Sequence, residues 1–166
     1  MLKIIHHFPE YQFVLAGVRN LPDSLYMKII GNNPIKLVSD KTYEILYLAD
    51  AALVTSGTAT LETALIGTPQ VVCYKADFFS ILIAWMVIKV KYISLVNLIM
   101  DFEVIKELIQ HDLKENNLLK ELKSIVHGGD RREKILKDYE SLKKKMGPAG
   151  ASVRIASDMV NSLKNR

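Results

Sequence analysis

The run Thr55-Ser-Gly-Thr58, followed by Thr60 and Glu62, has residue types and a spacing suited to chemistry at an anion. An apolar stretch, Ala51-Ala-Leu-Val-Thr55, ends there and a helical pattern begins. Backbone N–H groups at the start of a helix lack intrahelical acceptors and carry the positive end of the helix dipole, so a phosphate is stabilised beside them. Gly57 has no side chain to hold a diphosphate away, and Ser56, Thr58 and Thr60 offer hydroxyl donors. Glu62 follows Thr58 by four residues and so falls one turn along the same helix face. A carboxylate there can accept hydrogen bonds from a ribose diol while the phosphates sit at the helix end. The same spacing serves plain capping, with Ser56 or Thr58 satisfying the first turn and Glu62 standing in solvent. Spacing alone leaves both readings open.

The elements around this turn alternate. Tyr11 to Gly17 reads as a strand stopped by glycine, and Leu25 to Ile30 as a short helix after Pro22-Asp-Ser24. Ile35 to Val38 reads as a short strand, and Asp40 as the cap of a helix carrying Tyr43, Ile45, Leu46 and Leu48. After the strand at Ala51 to Thr55, a helix is expected over Thr58 to Ile66. Gly67-Thr-Pro69 stops it, because glycine accepts the left-handed cap and proline cannot continue the helix. Gln70 to Tyr74 is a third clear strand, an apolar helix follows within Phe78 to Val90, and Tyr92 to Leu95 reads as a last short strand. Continuous apolar strands joined by helices mark a parallel sheet covered on both faces, so the expected fold is α/β, a Rossmann-like doubly wound sheet. It is expected over residues 1–100, with residues 101–166 as helices packing on the same domain. From Phe102 onward the pattern reads as wholly helical. Ile135, Leu136, Tyr139, Leu142 and Met146 share one helical stripe, Gly147-Pro-Ala-Gly150 breaks that helix, and a last helix carries Val153, Ile155, Ala156, Met159, Val160 and Leu163. The chain opens on what reads as the tail of a helix, Leu2 to Phe8, directly before its first strand. A doubly wound sheet begins with a strand and a phosphate-binding turn, so that strand and loop are expected in sequence preceding Met1.

Composition narrows the function classes. A chain of 166 residues, 49% hydrophobic, is long enough for one real core and too apolar to be disordered. The single cysteine, Cys73, excludes an internal disulfide framework and a Cys-rich zinc site, and its apolar surroundings place it in the core. His6 and His7 are adjacent on a helix and point apart, His111 and His127 are isolated, and no His/Asp/Glu spacing suggests a zinc or magnesium site. The 22 positive against 18 negative residues are a mild excess that permits an anionic partner without identifying one. Lys143 to Lys145 read as a solvated face, and with no aromatic interleaving or recognisable motif a nucleic acid is not an expected partner. The first residues are too short and polar for a signal peptide, which with the lone cysteine favours the cytoplasm. Phe78 to Ile88 is about half the roughly 20 residues of a spanning helix. It reads either as a buried helix or as an interfacial one, with Phe78, Phe79, Ile83, Trp85 and Met86 in lipid and Lys89 and Lys91 at head groups.

The run Ala49-Asp-Ala-Ala-Leu-Val-Thr-Ser-Gly-Thr-Ala-Thr-Leu-Glu-Thr-Ala64, then Gly67-Thr-Pro-Gln-Val-Val-Cys-Tyr-Lys75, resembles the nucleotide-binding half of lipid-A-disaccharide synthases. Val90 to Leu98, Glu103 to Gln110 and Gly150 to Ala156 resemble that family's later blocks in the same order, so the similarity covers nearly all of the chain. Two departures stand out: Val96 where the family usually has proline, and Asp101-Phe102 where it has Gly-Arg.

The resemblance implies a glycosyltransferase of two facing Rossmann-like domains, the GT-B arrangement, acting in lipid A biosynthesis. It joins UDP-2,3-diacylglucosamine to 2,3-diacylglucosamine 1-phosphate and releases UDP. Carried over, Ser56, Gly57, Thr58, Thr60 and Glu62 contact UDP, with Glu62 as the ribose-binding glutamate, and Asn97, Glu103 and Gln110 stand near where the cleft closes. Lys75 takes the place of a basic residue that can meet a phosphate. The resemblance implies neither cofactor nor metal, puts the catalytic base in an N-terminal half that has no counterpart here, and places the intact enzyme peripherally on the cytoplasmic face of the inner membrane. The chain is then the C-terminal half, inactive alone, and expected to self-associate through exposed apolar surface or exchanged C-terminal helices. Two further readings stand beside this one. The first is another UDP-sugar enzyme of the same architecture, such as a UDP-N-acetylglucosamine 2-epimerase or a glycan-building transferase. The second is a non-catalytic Rossmann-like interaction domain.

Overall fold

The computed structural model describes residues 1–55, 57–75, 91–148 and 150–164. The apolar stretch Phe78 to Val90, read above as a buried or interfacial helix, lies outside them, as does Ser56. A 3-10 turn, Leu2–His7, leads into β1 (Phe13–Gly17), α1 (Asp23–Ile30), β2 (Ile35–Ser39), α2 (Thr42–Leu48), β3 (Ala52–Val54), α3 (Thr58–Ile66) and β4 (Gln70–Tyr74). Then come α4 (Leu95–Met100), β5 (Lys106–Ile109), a 3-10 turn at Gln110–Asp112, α5 (Glu115–Ile125), α6 (Arg132–Met146) and α7 (Ala151–Lys164).

All strand pairs among the described residues are parallel, in two sheets, β1-β2 and β3-β4-β5. The expected α/β class with parallel strands and a helical C-terminal end is the observed one. In the larger sheet α3 packs on one face, with α4 and α6 behind it, and α5 packs on the other. Coverage from both sides buries Gln70, Val71, Val72 and Cys73 along β4, which is why that strand reads as an unbroken apolar run. Ile135, Tyr139 and Leu142 of α6 enter the same core beside Val96, Ile105, Leu108, Leu118 and Ile125. Leu136 is half-buried, and Met146 at the end of that stripe is exposed.

Three expectations are corrected. Tyr92 to Leu95 is not a strand. Ser94 caps α4, its Oγ accepting from the Asn97 N–H at 3.3 Å, so an aromatic and β-branched segment enters a helix instead. The chain after Phe102 is not wholly helical, because Lys106–Ile109 pairs with Val71–Tyr74 as the edge strand of the sheet. Asp40 does not cap α2. Its backbone takes φ 56°, Lys41 holds the cap position, and the Asp40 carboxylate accepts from the Arg19 N–H at 3.1 Å and pairs with the Arg19 guanidinium.

The smaller sheet is thinly covered. Val14 of β1 and Leu25, Met27 and Ile29 of α1 are exposed, as are Val153, Ile155, Met159, Val160 and Leu163 of α7.

Leu142→Ala removes a fully buried side chain and is expected to cost about 3 kcal/mol, read from urea unfolding, whereas Tyr47→Ala, 80% exposed, stays within about 0.5 kcal/mol. Burial pushes the Cys73 thiol up to about 11. The neutral thiol is therefore the folded form, and its contribution to stability is full below the ordinary thiol value and lost as pH rises through about 11. Iodoacetamide at pH 8 is expected to label native Cys73 roughly a hundredfold more slowly than the urea-unfolded chain; equal rates would contradict the buried placement.

Candidate functional site

Three parallel strands end on one edge of the larger sheet, and that carboxyl edge is where open α/β sheets bind ligands. β3 runs out at Val54 into the turn before α3, β4 ends at Tyr74 before exposed Lys75, and β5 ends at Ile109 before Gln110. Gly57, Thr58, Lys75 and Gln110 therefore share one edge. Gly57 is the cap residue of α3 and takes φ 134° and ψ −164°, a region open essentially to glycine alone. Among the described residues other than its chain neighbours, no heavy atom lies within 4 Å of where a Cβ would stand, so it is the torsion that demands glycine. No side chain caps this turn; the Thr60 N–H donates to the Gly57 carbonyl oxygen at 3.2 Å, and a helix start leaves its earlier N–H groups without intrahelical acceptors.

The threonines divide. Thr58 is exposed at the helix start, whereas Thr60 is fully buried and donates its hydroxyl to the Gly57 carbonyl oxygen at 2.8 Å. Thr60 tightens the turn from within and does not face the open side. Thr63 does the same one turn later, donating to the Ala59 carbonyl oxygen at 2.7 Å.

Glu62 is half-buried, and its Oε2 accepts from the Tyr43 hydroxyl at 3.0 Å. That hydrogen bond, and then the carboxylate charge, hold the Tyr43 phenol above its ordinary value. Tyr43 lies in the first turn of α2, just past the carboxyl end of β2, so it reaches Glu62 along the same edge. Nineteen residues separate the pair, and no local spacing announces it.

Asn97 and Glu103 stand elsewhere. Asn97 is fully buried, and its Oδ1 accepts from the N–H groups of Val104 and Ile105 at 2.8 and 3.1 Å. Its Nδ2 donates to the Ile105 carbonyl oxygen and to Glu107 Oε1, each at 2.9 Å. Glu103 is exposed and pairs with Lys106 at 3.1 Å. Both groups sit where β5 begins, at the amino edge, and the structure does not bring them to Gly57. Gln110, by contrast, is at the carboxyl edge with φ 48°.

Glu107, passed over in the sequence, organises this second region. Its carboxylate accepts from the Ile93 N–H at 2.9 Å, the Ser94 N–H at 3.0 Å, the Ser94 hydroxyl at 2.7 Å and Asn97 Nδ2. A lone carboxylate inside Ile105 to Ile109 was the available signal. The two family departures fit here without distortion. Val96 occupies the first turn of α4, where proline is also tolerated, and Asp101 holds the left-handed position (φ 63°) that glycine takes freely.

Among the described residues no group of three or more His, Cys, Asp or Glu side chains is placed to hold a metal ion, and no helix is long and apolar enough to cross a membrane.

Removing the Asn97 amide strands buried N–H groups, so Asn97→Ala is expected to cost about 3 kcal/mol in urea unfolding. Gly57→Ala is expected to cost about 1–3 kcal/mol through its torsion. A Gly57→Ala variant as stable as the parent would refute the turn geometry.

A family profile described as lipid-A-disaccharide synthetase matches residues 3–155. The lipid-A-disaccharide synthase of Syntrophus aciditrophicus is 41% identical over 149 residues, covering 87% of this chain and 39% of that protein. That of Nitrosococcus oceani is 33% identical over 165 residues, covering 97% and 42%, and that of Syntrophotalea carbinolica 32% over 164 residues, covering 98% and 42%. The chain thus spans about two-fifths of the length of these relatives.

Proposed function

The chain belongs to the lipid-A-disaccharide synthetase family, and from that premise we propose that it forms the UDP-sugar-binding part of a glycosyltransferase of lipid A biosynthesis. The donor is UDP-2,3-diacylglucosamine and the acceptor 2,3-diacylglucosamine 1-phosphate. The observation that carries this reading is the start of α3: a glycine turn at the carboxyl edge with no side-chain cap, exposed at Gly57 and Thr58, and a carboxylate one turn along.

The diphosphate docks at Gly57 and Thr58, with Ser56 beside them and Lys75 supplying positive charge from the next strand end. Glu62 accepts from the ribose diol, and Tyr43, bonded to its other side, holds the carboxylate in register. Gln110 flanks the same edge. Asn97 acts indirectly, by fixing the segment that precedes β5. In the transfer step the acceptor hydroxyl oxygen bonds to the anomeric carbon as the bond from that carbon to the phosphate oxygen breaks. A base outside this chain takes the hydroxyl proton. The departing UDP gains negative charge as it leaves, and the helix start stabilises that charge where it develops, which is electrostatic catalysis without a cofactor. The acyl chains of both sugars put the intact enzyme at a membrane surface, peripherally on the cytoplasmic face of the inner membrane. The chain alone binds the donor nucleotide and turns nothing over.

Calorimetry of the full 166-residue chain with UDP is expected to show binding, and Glu62→Ala to weaken it about tenfold or more, the worth of one or two charge-assisted hydrogen bonds. Inorganic pyrophosphate is expected to bind both forms equally. No binding of UDP by the parent chain, or equal affinity in the variant, sinks the assignment.

A further inference from the structure

The carbonyl oxygen of Gly57 takes two donors from one residue. The Thr60 N–H donates to it at 3.2 Å and the Thr60 hydroxyl at 2.8 Å. Both draw the carbonyl toward the body of α3. A trans peptide is planar, with its C=O and N–H pointing in opposite directions. The N–H that shares this peptide belongs to Thr58. It therefore points away from the body of the helix, out of the helix start at the carboxyl edge.

Glycine makes this hold necessary. Gly57 takes φ 134° and ψ −164°, a region open essentially to glycine alone. A residue free to enter that region has no side chain to restrict the peptide that follows it. The orientation of the Gly57–Thr58 peptide is then set by what grips its carbonyl.

The gripping residue is itself held. Thr60 is fully buried, as is Gln70, whose Nε2 donates to the Thr60 carbonyl oxygen at 2.8 Å and to the Tyr139 hydroxyl at 3.2 Å. Thr63, also buried, donates its hydroxyl to the Ala59 carbonyl oxygen at 2.7 Å. That carbonyl shares its peptide with the Thr60 N–H, which is thereby turned back toward Gly57. A run of hydrogen bonds thus leads from Tyr139 in α6, through Gln70 in β4, to the peptide between Gly57 and Thr58.

We infer that Thr60 is a positioning residue of the diphosphate site: its buried hydroxyl holds the Gly57–Thr58 peptide so that the Thr58 N–H faces a phosphate oxygen. The inference rests on the reading of this turn as the diphosphate site and adds to it the group that orients the donor. Thr60 does not touch the ligand, because its hydroxyl proton is spent on Gly57 and its side chain is fully buried. Orientation matters here because negative charge grows on the departing diphosphate. A donor already turned toward that charge costs no reorganisation at the moment of reaction.

The test uses the full 166-residue chain with UDP and with inorganic pyrophosphate. Valine matches threonine in shape and lacks the hydroxyl, whereas serine keeps it. Thr60→Val is expected to weaken both ligands about fivefold or more, the worth of one hydrogen bond, and Thr60→Ser to bind both within about twofold of the parent chain. Gly57 retains the Thr60 N–H in the valine variant, so its melting temperature is expected within about 4 °C of the parent's. Glu62→Ala supplies the contrast, losing affinity for UDP and keeping it for pyrophosphate. UDP is also expected to slow hydrogen exchange of the Thr58 amide about tenfold in the parent chain. If Thr60→Val does not fold, that amide decides alone. UDP bound with Thr58 exchange unchanged, equal affinities in the valine variant, a loss confined to UDP, or a serine variant as weak as the valine one would each overturn the inference and leave the UDP reading standing. A parent chain that binds neither ligand sinks that reading, and the inference with it.

Discussion

The side-chain amide of Gln70 ties the functional edge to the core. Fully buried at the start of β4, it donates to the Thr60 carbonyl oxygen at 2.8 Å and to the Tyr139 hydroxyl at 3.2 Å. A buried polar group without a partner costs several times what a made hydrogen bond returns, about 2–7 kcal/mol against about 1. α3 therefore cannot turn or slide on the sheet without stranding the amide, which apolar packing alone would allow. The tie reaches the second residue of α3 after its start, so the direction in which the first-turn N–H groups point is set from beneath. Gln70 Oε1 finds no hydrogen-bond partner among the described residues, which is a cost of placing this polar side chain there.

The two edges of the larger sheet are built on opposite principles. The amino edge is closed by polar side chains that exhaust one another. Glu107 takes four donors, Asn97 bridges both sides of the loop before β5, and Arg132 meets the Asp50 carbonyl oxygen at 2.7 Å and its carboxylate at 3.0 Å. Few groups are left there for a ligand. The carboxyl edge keeps Gly57 and Thr58 exposed, with no side chain capping the helix start. An anion at such a helix start meets N–H groups that lack intrahelical acceptors, which is the property a leaving diphosphate needs.

Much of this was legible in the residues. β4 and α3 were found at their observed bounds because both faces of that strand are covered and because Gly67 marks the helix end with a left-handed cap (φ 105°). β5 was missed because Lys106 and Glu107 interrupt its apolar pattern, and what makes them tolerable lies outside the strand, in Glu103 and in residues 93–97. Asp40 looked like a cap, yet a distant arginine claims its carboxylate. Thr60 looked like a donor to a ligand, yet its hydroxyl closes the turn. The Tyr43–Glu62 contact joins two helices through tertiary geometry that no spacing encodes. Local chemistry was readable wherever the partner was local or the environment uniform, and failed where a side chain answered to a residue far along the chain.

The thin cover of the β1-β2 pair sets how the chain comes apart. Val14, Leu25, Met27 and Ile29 contribute little burial, while Val71, Val72, Ile105 and Leu142 contribute it fully. Free energies of opening follow such differences, so the segment from β1 to β2, with α1, forms a weaker cooperative unit than the larger sheet and the Ile4 and Phe8 that pack into its core. Denaturation followed by a probe near Tyr26 and by one near Tyr139 gives two midpoints, the earlier at Tyr26, and a single unfolding free energy does not describe the chain.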